Sequence, residues 1–459
     1  MSQTPKISDM TLSKSLISVL LTASLFAISC QDNAAQTAAP TATEKTNSNA
    51  PQTKLQRTPR ATVAALKRHE TIQAAFADIL SHRQENIDTL IELTEIPAPP
   101  FGEETRGKHL AKLFKAAGLD DVEIDEVGNV IARRPGTRGE KTIAMVAHID
   151  TVFPIETNVK VRKEGDTYYA PGIGDNTQGI VLMLSIIKAM RAQNIETEED
   201  LLFIGNVGEE GLGDLRGVKH LYREGAEPID SMIAIDGGGN GRLIYGAVGS
   251  YRYRVTFKGR GGHSWGDFGA ANPHHALARA IENFAELAPE VTSEGERSSF
   301  SVGRIGGGTS VNSIPFESWM EVDMRSGNVD KIDAIDAIFK KAVQDGLDEE
   351  NAARKLGPAL SVEIKPVGLR PAGKGDPKQP LVQHAMAAMD SFGFQPQLSI
   401  SSTDANIPIS LGKPAITIGR GGISRGAHGL DESWQDKDSH IAIQIALLTL
   451  LAEAGFVEP

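Results

Sequence analysis

The strongest constraint on the fold is a set of short, largely apolar runs that alternate along the chain with apolar segments of helical length. The runs are rich in β-branched and large side chains, and residues 180–190 are long enough for a buried helix. Strands that alternate with helices favour an α/β fold, with a mixed, largely parallel sheet and helices on both faces. The predicted strands are residues 142–147, 201–207, 232–235 and 415–418.

Polar side chains follow three of these runs where each run ends. His148 and Asp150 follow the first, Glu209 and Glu210 follow the second, and Asp236 follows the third. In open α/β sheets, ligands bind in the crevice outside the carboxyl ends of the strands. We therefore expect these side chains to meet at one edge of one sheet, although they are far apart in the sequence.

Residues 249–368 have a different pattern, in which the predicted elements follow the order strand, helix, strand, strand, helix, strand. This is the order of a ferredoxin-like α+β domain, a four-stranded sheet with two helices on one face. We therefore predict an inserted domain at 249–368 that interrupts a larger domain made of residues 59–248 and 369–459. The predicted elements are residues 251–257, 276–287, 299–305, 318–324, 329–343 and 361–366.

The first 29 residues have the pattern of a secretory signal, because Lys6 and Lys14 precede an apolar run from Leu16 to Ile28. Cys30 is the only cysteine, and its position after this run resembles a lipoprotein cleavage site. The alternative is a plain secretory signal with an incidental cysteine. Residues 30–58 are poor in large apolar groups and are predicted to be a flexible tether. We expect an exported protein of the periplasm or cell envelope, anchored through lipid at Cys30.

The charge balance limits the class of partner. The formal net charge is −12, so the chain lacks the excess of cations that would neutralise nucleic acid phosphates. We expect a small-molecule substrate, no nucleic acid, and contact with a membrane only through the N-terminal signal or anchor.

Seven ionisable residues are candidates for a chemical site, although each alone has an ordinary explanation, such as a helix cap or a hydrogen bond in the core. Together, two histidines and several carboxylates suit zinc or a similar divalent ion. A pair of metal ions needs one bridging carboxylate, with a histidine and a carboxylate for each ion, and this set leaves one glutamate as a general base. The candidates are His148, Asp150, Asp175, Glu209, Glu210, Asp236 and His428.

Five motifs lie in succession along the chain, and four of them contain candidate residues. In that order they resemble the co-catalytic dinuclear zinc peptidases, the family of peptidase T, acetylornithine deacetylase, aminoacylase and carboxypeptidase G. The resemblance runs from about Ile96 to Glu432, and the peptidase T-like members are the most similar in character. The motifs are VAHIDTVFP at 146–154, GDNTQG at 174–179, GEEG at 208–211, STDAN at 402–406 and GAHG at 426–429.

The resemblance implies a role for each candidate. Asp175 bridges two divalent metal ions, for which Zn²⁺ is expected and Co²⁺ or Mn²⁺ are alternatives. Glu209 takes a proton from the attacking water and delivers it to the leaving amine, and Asp150 accepts a hydrogen bond from the ring of His148. The peptide bond between Asp175 and Asn176 is implied to be cis. The implied terminal ligands are His148 and Asp236 for one ion, and Glu210 and His428 for the other.

Three residues of the inserted domain resemble family positions on the substrate side. His263, in GGHS at 261–264, matches a histidine that stabilises the developing negative oxygen when the lid closes. In dimeric members this histidine can reach the partner's site, so a homodimer through the inserted domain is an open expectation. Asn312 and Arg325 match residues that bind the substrate's carboxylate or carbonyl. The alternative for Arg325 is a structural ion pair.

The implied function is hydrolysis of the amide bond of small peptides, since relatives with aspartate at the position of Asp236 tend to be amino-, di- or tripeptidases. The alternative on the same site is an N-acyl amino acid deacylase. A serine hydrolase is disfavoured, because GHSWG at 262–266 matches a nucleophile elbow but is followed by a loop instead of a helix. A binding protein without turnover is disfavoured because all seven positions hold chemically competent residues.

Overall fold

The computed structural model describes residues 58–458 of the chain. The predicted signal at 1–29, the predicted lipidation of Cys30 and nearly all of the predicted tether at 30–58 lie outside these residues. None of the helices within 58–458 combines the length and the apolar character that a membrane span requires.

The helices and strands of the described residues alternate along most of the chain. The helices are α1 (Pro59–Arg68), α2 (Glu70–Ser81), α3 (Arg83–Thr94), α4 (Glu104–Ala116), α5 (Gly179–Ala192), α6 (Arg216–Leu221), α7 (Pro273–Leu287), α8 (Pro289–Thr292), α9 (Val329–Ala353), α10 (Pro380–Ser391), α11 (Asn406–Ser410) and α12 (Ser439–Ala454). The strands are β1 (Asp121–Ile124), β2 (Val130–Arg134), β3 (Thr142–His148), β4 (Arg162–Glu164), β5 (Thr167–Tyr169), β6 (Glu196–Thr197), β7 (Asp200–Asn206), β8 (Ser231–Ile235), β9 (Arg242–Ala247), β10 (Gly249–Lys258), β11 (Gly262–His263), β12 (Ser298–Gly307), β13 (Ser313–Ile314), β14 (Glu317–Ser326), β15 (Ser361–Arg370), β16 (Gln397–Ser401), β17 (Ala415–Ile418), β18 (Ile423–Arg425), β19 (Ser433–Gln435) and β20 (Phe456–Val457).

The larger sheet has eight strands in the order β1-β2-β7-β3-β8-β17-β9-β16. Its central strands β7, β3, β8 and β17 run parallel to one another, whereas β1 and β2 are antiparallel additions at one side. The β17–β9 pair is also antiparallel. The predicted mixed, largely parallel sheet is therefore confirmed, and all four predicted strands are present in its centre.

The central strands are buried on both faces, which explains why their sequences are almost continuously apolar. Ile143, Met145 and Ala147 of β3 point into one core, which includes helices α5 and α12. Ala144 and Val146 point into the core on the opposite face, which includes α6 and α11. Successive side chains of a strand alternate between faces, so one short run supplies both cores.

The second sheet is antiparallel, with four strands in the order β12-β14-β10-β15. Its strands and its two long helices, α7 and α9, follow the predicted order along the chain. Tyr253, Val255 and Phe257 of β10 pack with Phe284 of α7 and Phe339 of α9 in a core of their own. We refer to this sheet and its helices as the lid domain.

Helix α9 extends to Ala353, ten residues beyond its predicted end at 343. Glycine costs about 1 kcal/mol relative to alanine inside a helix, so Gly346 weakens the helical signal there. The structure gives a reason for this glycine. A Cβ atom at Gly346 would lie 2.6 Å from the main-chain nitrogen of Ala280 in α7 and 2.8 Å from the carbonyl oxygen of Ala276. Close packing of two helices therefore overrides the local preference.

We expect Gly346→Ala to destabilise the protein by about 1–3 kcal/mol, because the new methyl group meets main chain that cannot rotate away. The gain in helix propensity of about 1 kcal/mol opposes this effect and does not cancel it. Urea unfolding of residues 58–458 would measure the change. Gly303→Ala is the control, since a Cβ atom there has nothing within 4 Å. Equal stability of the two variants would contradict the packing argument.

Candidate metal centre

Four loops that follow the central parallel strands bring charged residues to one edge of the larger sheet. His148 is the last residue of β3, Glu209 and Glu210 follow β7, Asp236 follows β8, and Arg420 follows β17. These four strands are parallel neighbours, so their carboxyl ends lie side by side. The convergence expected from the sequence is therefore present, and it includes one cation, Arg420, that was not among the predicted residues.

Asp175 lies in an irregular turn, Ile173–Gln178, between β5 and α5. The peptide bond between Asp175 and Asn176 is cis, as the resemblance implied. The carboxylate of Glu432, which is fully buried, accepts hydrogen bonds from the main-chain N–H groups of Asp175 at 2.7 Å, Gly174 at 2.9 Å and Gly172 at 2.8 Å. Glu432 therefore fixes the turn that presents Asp175 to the site.

The two carboxylate oxygens of Asp175 face two different histidines. Oδ1 lies 3.4 Å from Nε2 of His148, and Oδ2 lies 3.5 Å from Nε2 of His428. His428 comes from a loop with a left-handed backbone, φ 67°, between β18 and β19. A carboxylate placed between two imidazole rings in this way has the arrangement that a bridging ligand requires.

Two groups of three potential ligands share Asp175, and within each group the ligand atoms lie within 4.8 Å of one another. We call the first group, His148, Asp175 and Asp236, site M1. We call the second group, Asp175, Glu210 and His428, site M2. A third such group, His148 with Glu209 and Glu210, overlaps both. Asp175, His148 and Glu210 each belong to two of the three groups, so the potential ligands form one cluster.

Asp150 supports the centre from behind and is fully buried. Its carboxylate accepts hydrogen bonds from the main-chain N–H groups of Glu209 at 3.0 Å and Glu210 at 2.8 Å. Nδ1 of His148 lies closer to the main-chain oxygen of Asp150, at 3.1 Å, than to its carboxylate, at 3.6 Å. The carboxylate thus positions the two glutamates at least as directly as it orients the histidine.

The charges of the site fit a bound cation. Burial alone would lower the pKa of His148, but hydrogen bonds to Asp150 and Asp175 raise it well above its ordinary value. Hydrogen bonds to Asp175 and Glu210 raise the pKa of His428 to about 10. The carboxylates therefore favour positive charge at both ring nitrogens. Nitrogen and oxygen ligands around such a position suit a divalent metal ion.

Glu209 is buried at the wall of a cavity of about 450 Å³ that Asp175, Glu210, Asp236 and His428 also line. Burial raises its pKa well above the usual range, and the nearby guanidinium of Arg370 opposes that rise. Nη1 of Arg370 donates a hydrogen bond to Oε1 of Glu209 at 2.9 Å and another to Oγ of Ser402 at 3.2 Å. Arg370 therefore holds Glu209 in one orientation beside the potential metal ligands.

The lid domain contributes Arg252 and Arg325 to the same cavity. Both guanidiniums share one carboxylate, because Nε of Arg252 donates to Oδ1 of Asp323 at 2.8 Å and Nε of Arg325 donates to Oδ2 at 2.7 Å. One carboxylate against two guanidiniums leaves a surplus of positive charge at this wall. Nη1 of Arg252 also donates to the carbonyl oxygen of Gly211, in the loop after Glu210, at 3.3 Å.

The structure places two predicted residues elsewhere. Neither His263 nor Asn312 is among the described residues that line the cavity. His263 lies on β11, which pairs with β13, and both His263 and Asn312 are exposed. Main-chain N–H groups of Trp265 and Gly266 donate to Nδ1 of His263 at 3.2 and 3.3 Å. The segment after β11 is a loop, so Ser264 does not stand at a strand-to-helix elbow.

Sequence reasoning missed Arg370, Arg420 and Glu432 as parts of the site. Glu432 is the last residue of the resembling segment, and GRGG at 419–422 directly follows a predicted strand of the site edge. Arg420 lies just after β17 as Asp236 lies just after β8, so the rule that strand ends carry site residues applies to Arg420 as well. Arg370 had no such signal, since its contact with Glu209 spans 161 residues of sequence.

Comparison with known sequences gives a consistent result. The sequence model of peptidase family M20/M25/M40 matches residues 144–454. Carboxypeptidase G2 of Pseudomonas sp. (strain RS-16) is 24% identical over 371 residues, which cover 77% of this chain and 85% of that protein. The cytosol non-specific dipeptidase of Escherichia coli (strain K12) is 23% identical over 297 residues, which cover 57% of this chain and 58% of that protein.

Among solved structures, the aminopeptidase PepT of Bacillus cereus has a similar fold, with a TM-score of 0.65 at 23% sequence identity. The similarity covers 80% of this chain and 98% of that chain. It therefore extends over both the larger domain and the lid domain.

We expect Glu432→Gln to weaken binding of divalent metal by about 10- to 100-fold, because an amide cannot accept all three main-chain hydrogen bonds that fix Asp175. Calorimetric titration of the metal-free protein with Zn²⁺ would measure the change. Asp431→Asn is the matched control, because this neighbour is exposed. Unchanged affinity in Glu432→Gln would mean that the turn keeps its shape without the carboxylate.

Proposed function

The chain belongs to peptidase family M20/M25/M40, and from this premise we propose that it is a metal-dependent hydrolase of the amide bond in di- and tripeptides. The observation that carries the proposal is the carboxylate of Asp175 between His148 and His428, with one further carboxylate beside each ring. The cavity of about 450 Å³ suits a substrate of a few residues.

We propose two Zn²⁺ ions as the cofactor, with Co²⁺ or Mn²⁺ as substitutes. His148, Asp236 and one oxygen of Asp175 would hold one ion, and Glu210, His428 and the other oxygen would hold the second. When bound, such a pair supplies Lewis acidity, which makes water a stronger nucleophile at neutral pH and polarises a carbonyl group. The remaining steps belong to side chains of the protein.

Glu209 is the proposed general base and acid. It is not needed as a ligand of M1 or M2, it lines the cavity, and burial raises its pKa well above the usual range, as suits a group that both takes and gives a proton. It would take the proton of the attacking water and deliver the proton to the nitrogen of the leaving amine. Arg370 would keep the carboxylate in place during both transfers, and Asp150 would hold the main chain of Glu209.

Arg325 is the proposed ligand for a substrate carboxylate. The arginine pair of the lid wall has one carboxylate, that of Asp323, for two guanidiniums, and the planar guanidinium fork suits a second carboxylate. Arg252 shares this position and would reinforce the same contact. A small peptide with a free carboxyl end would therefore have its end at the lid and its amide bond near Glu209.

His263 and Asn312 would join the site only after a change in domain arrangement or from a second copy of the chain. The exposure of His263 and of the large apolar side chains Trp265 and Val311 supports this proposal, because a patch of exposed apolar groups is typical of a protein–protein interaction surface. Through this surface we propose a homodimer of lid domains. We further propose export of the protein to the cell envelope, as a lipoprotein anchored at Cys30, from the sequence of residues 1–30.

We expect Glu209→Gln to lower kcat by about 10²- to 10⁴-fold, because the amide cannot accept the proton of the attacking water. Turnover of a panel of di- and tripeptides would measure this loss, and N-acetyl amino acids in the same panel test the deacylase alternative. Zinc content should remain near that of the wild type. Ser264→Ala is the control, with activity unchanged. Loss of activity in Ser264→Ala with retention in Glu209→Gln would refute the mechanism.

We expect Arg325→Met to raise KM for a dipeptide with a free carboxyl end by at least about tenfold, since a charged hydrogen bond contributes roughly 1.5–3 kcal/mol. The corresponding dipeptide amide should change little, because it lacks the carboxylate. Steady-state kinetics on the matched pair of substrates separates the two roles of Arg325. If both substrates lose activity equally, Arg325 is a structural partner of Asp323.

A further inference from the structure

A buried arginine, Arg420, lies within the proposed metal centre. Its side chain is 2% exposed, and its Nη1 donates a hydrogen bond to Oδ1 of Asp236 at 2.8 Å. The same nitrogen lies 3.4 Å from Oδ1 of Asp175 and 3.4 Å from Oδ1 of Asn176. Two of the three potential ligands of M1 are therefore already in contact with a fixed positive charge.

The main chain around Arg420 is tightly packed, which fixes the point from which its side chain extends. The main-chain N–H of Arg420 donates to the carbonyl oxygen of Gly237 at 2.9 Å. A Cβ atom at Gly419 would lie 2.1 Å from the carbonyl oxygen of Gly239, and one at Gly421 would lie 2.6 Å from Cβ of Ala442 in α12. The segment is packed between the loop after β8 and helix α12, so the arginine stays beside Asp236.

The two sites differ in this respect. At M2, the ligands unique to the site are Glu210 and His428, and neither makes a hydrogen bond or an ion pair with an arginine among the described residues. The buried arginine that lines the cavity, Arg370, has its ion pair with Glu209, which is a ligand of neither M1 nor M2. Asp175 is common to both sites and therefore does not distinguish them.

We propose that Arg420 makes the two metal sites unequal, so that M2 binds its ion first and M1 binds its ion second and releases it more easily. The inference rests on the metal pair of the proposed function. A positive charge held against Asp236, a ligand of M1 alone, reduces the negative charge available to the incoming ion and repels that ion directly. Asp150 adds negative charge near M1, but it contacts Nδ1 of His148, on the side of the ring away from Asp175, and is not a ligand of the ion.

Titration of the metal-free protein with Zn²⁺, and with Co²⁺ followed by its visible absorption, tests this inference. We expect two binding steps in the wild type that differ by at least about tenfold in affinity. Asp236→Asn should remove the weaker step, and His428→Asn should remove the tighter step. These two variants assign the steps to M1 and M2 without any measurement of activity.

Arg420→Met removes the charge and keeps an unbranched side chain, and we expect it to tighten the weaker step by at least about tenfold. Arg420→Lys keeps the charge and should keep the wild-type difference between the steps. Arg325→Met is the matched control, because it removes a cavity arginine whose hydrogen bond is to Asp323 and not to a ligand. Both of its binding steps should be unchanged.

Three results would overturn the role of Arg420. These are two equal steps in the wild type, a weaker or unchanged second step in Arg420→Met, and identical behaviour of the Met and Lys variants. If Arg420→Met does not fold, the Lys variant and the two ligand variants still decide the order of binding. A wild-type protein that binds no metal would refute the proposed function itself, whereas one that binds two ions equally and cleaves peptides would refute only this inference.

Discussion

The carboxylate of Asp175 determines how the rest of the centre must be built. Its two oxygens face two imidazole rings that are 280 residues apart in sequence, His148 and His428. For both contacts to exist, the turn that carries Asp175 has to be held rigidly, and the buried carboxylate of Glu432 does this through three main-chain N–H groups. The parallel strands supply the other side of the centre, because their carboxyl ends bring Glu210 and Asp236 to the same edge.

Concentrating acidic groups in this way has an electrostatic cost that the protein offsets with buried arginines. An unpaired buried charge is strongly destabilising, so each guanidinium must have partners of good geometry. Arg370 is paired with the proposed general base, and Arg420 is paired with two proposed metal ligands. Arg106, by contrast, donates to the carbonyl oxygens of Ile96 and Ile149 and supports main chain near the site. Arginine therefore serves three separate purposes in and near the proposed metal centre.

The sequence predicted most of the fold and the acidic part of the site, because both follow local rules. An apolar run followed by charged residues identifies the end of a parallel strand, and this rule located His148, Glu209 and Asp236 without any knowledge of tertiary contacts. The rule does not identify residues that reach this edge of the sheet from other elements, so Arg370 and Glu432 were not predicted. The positions of His263 and Asn312 relative to the cavity depend on how two domains are arranged, and no local pattern encodes that arrangement.

The hydrogen bond from Arg252 of the lid domain to the carbonyl oxygen of Gly211 joins the lid to the loop that carries Glu209 and Glu210. A second bond, from the main-chain N–H of Leu369 to Oδ1 of Asp214, joins the lid to the same loop from its other end. Any rotation of the lid must break these bonds or move the loop with it. A chimera that carried a foreign lid domain would therefore need both of these hydrogen bonds. Without them, even a correctly folded lid would not hold the loop that carries Glu209 and Glu210.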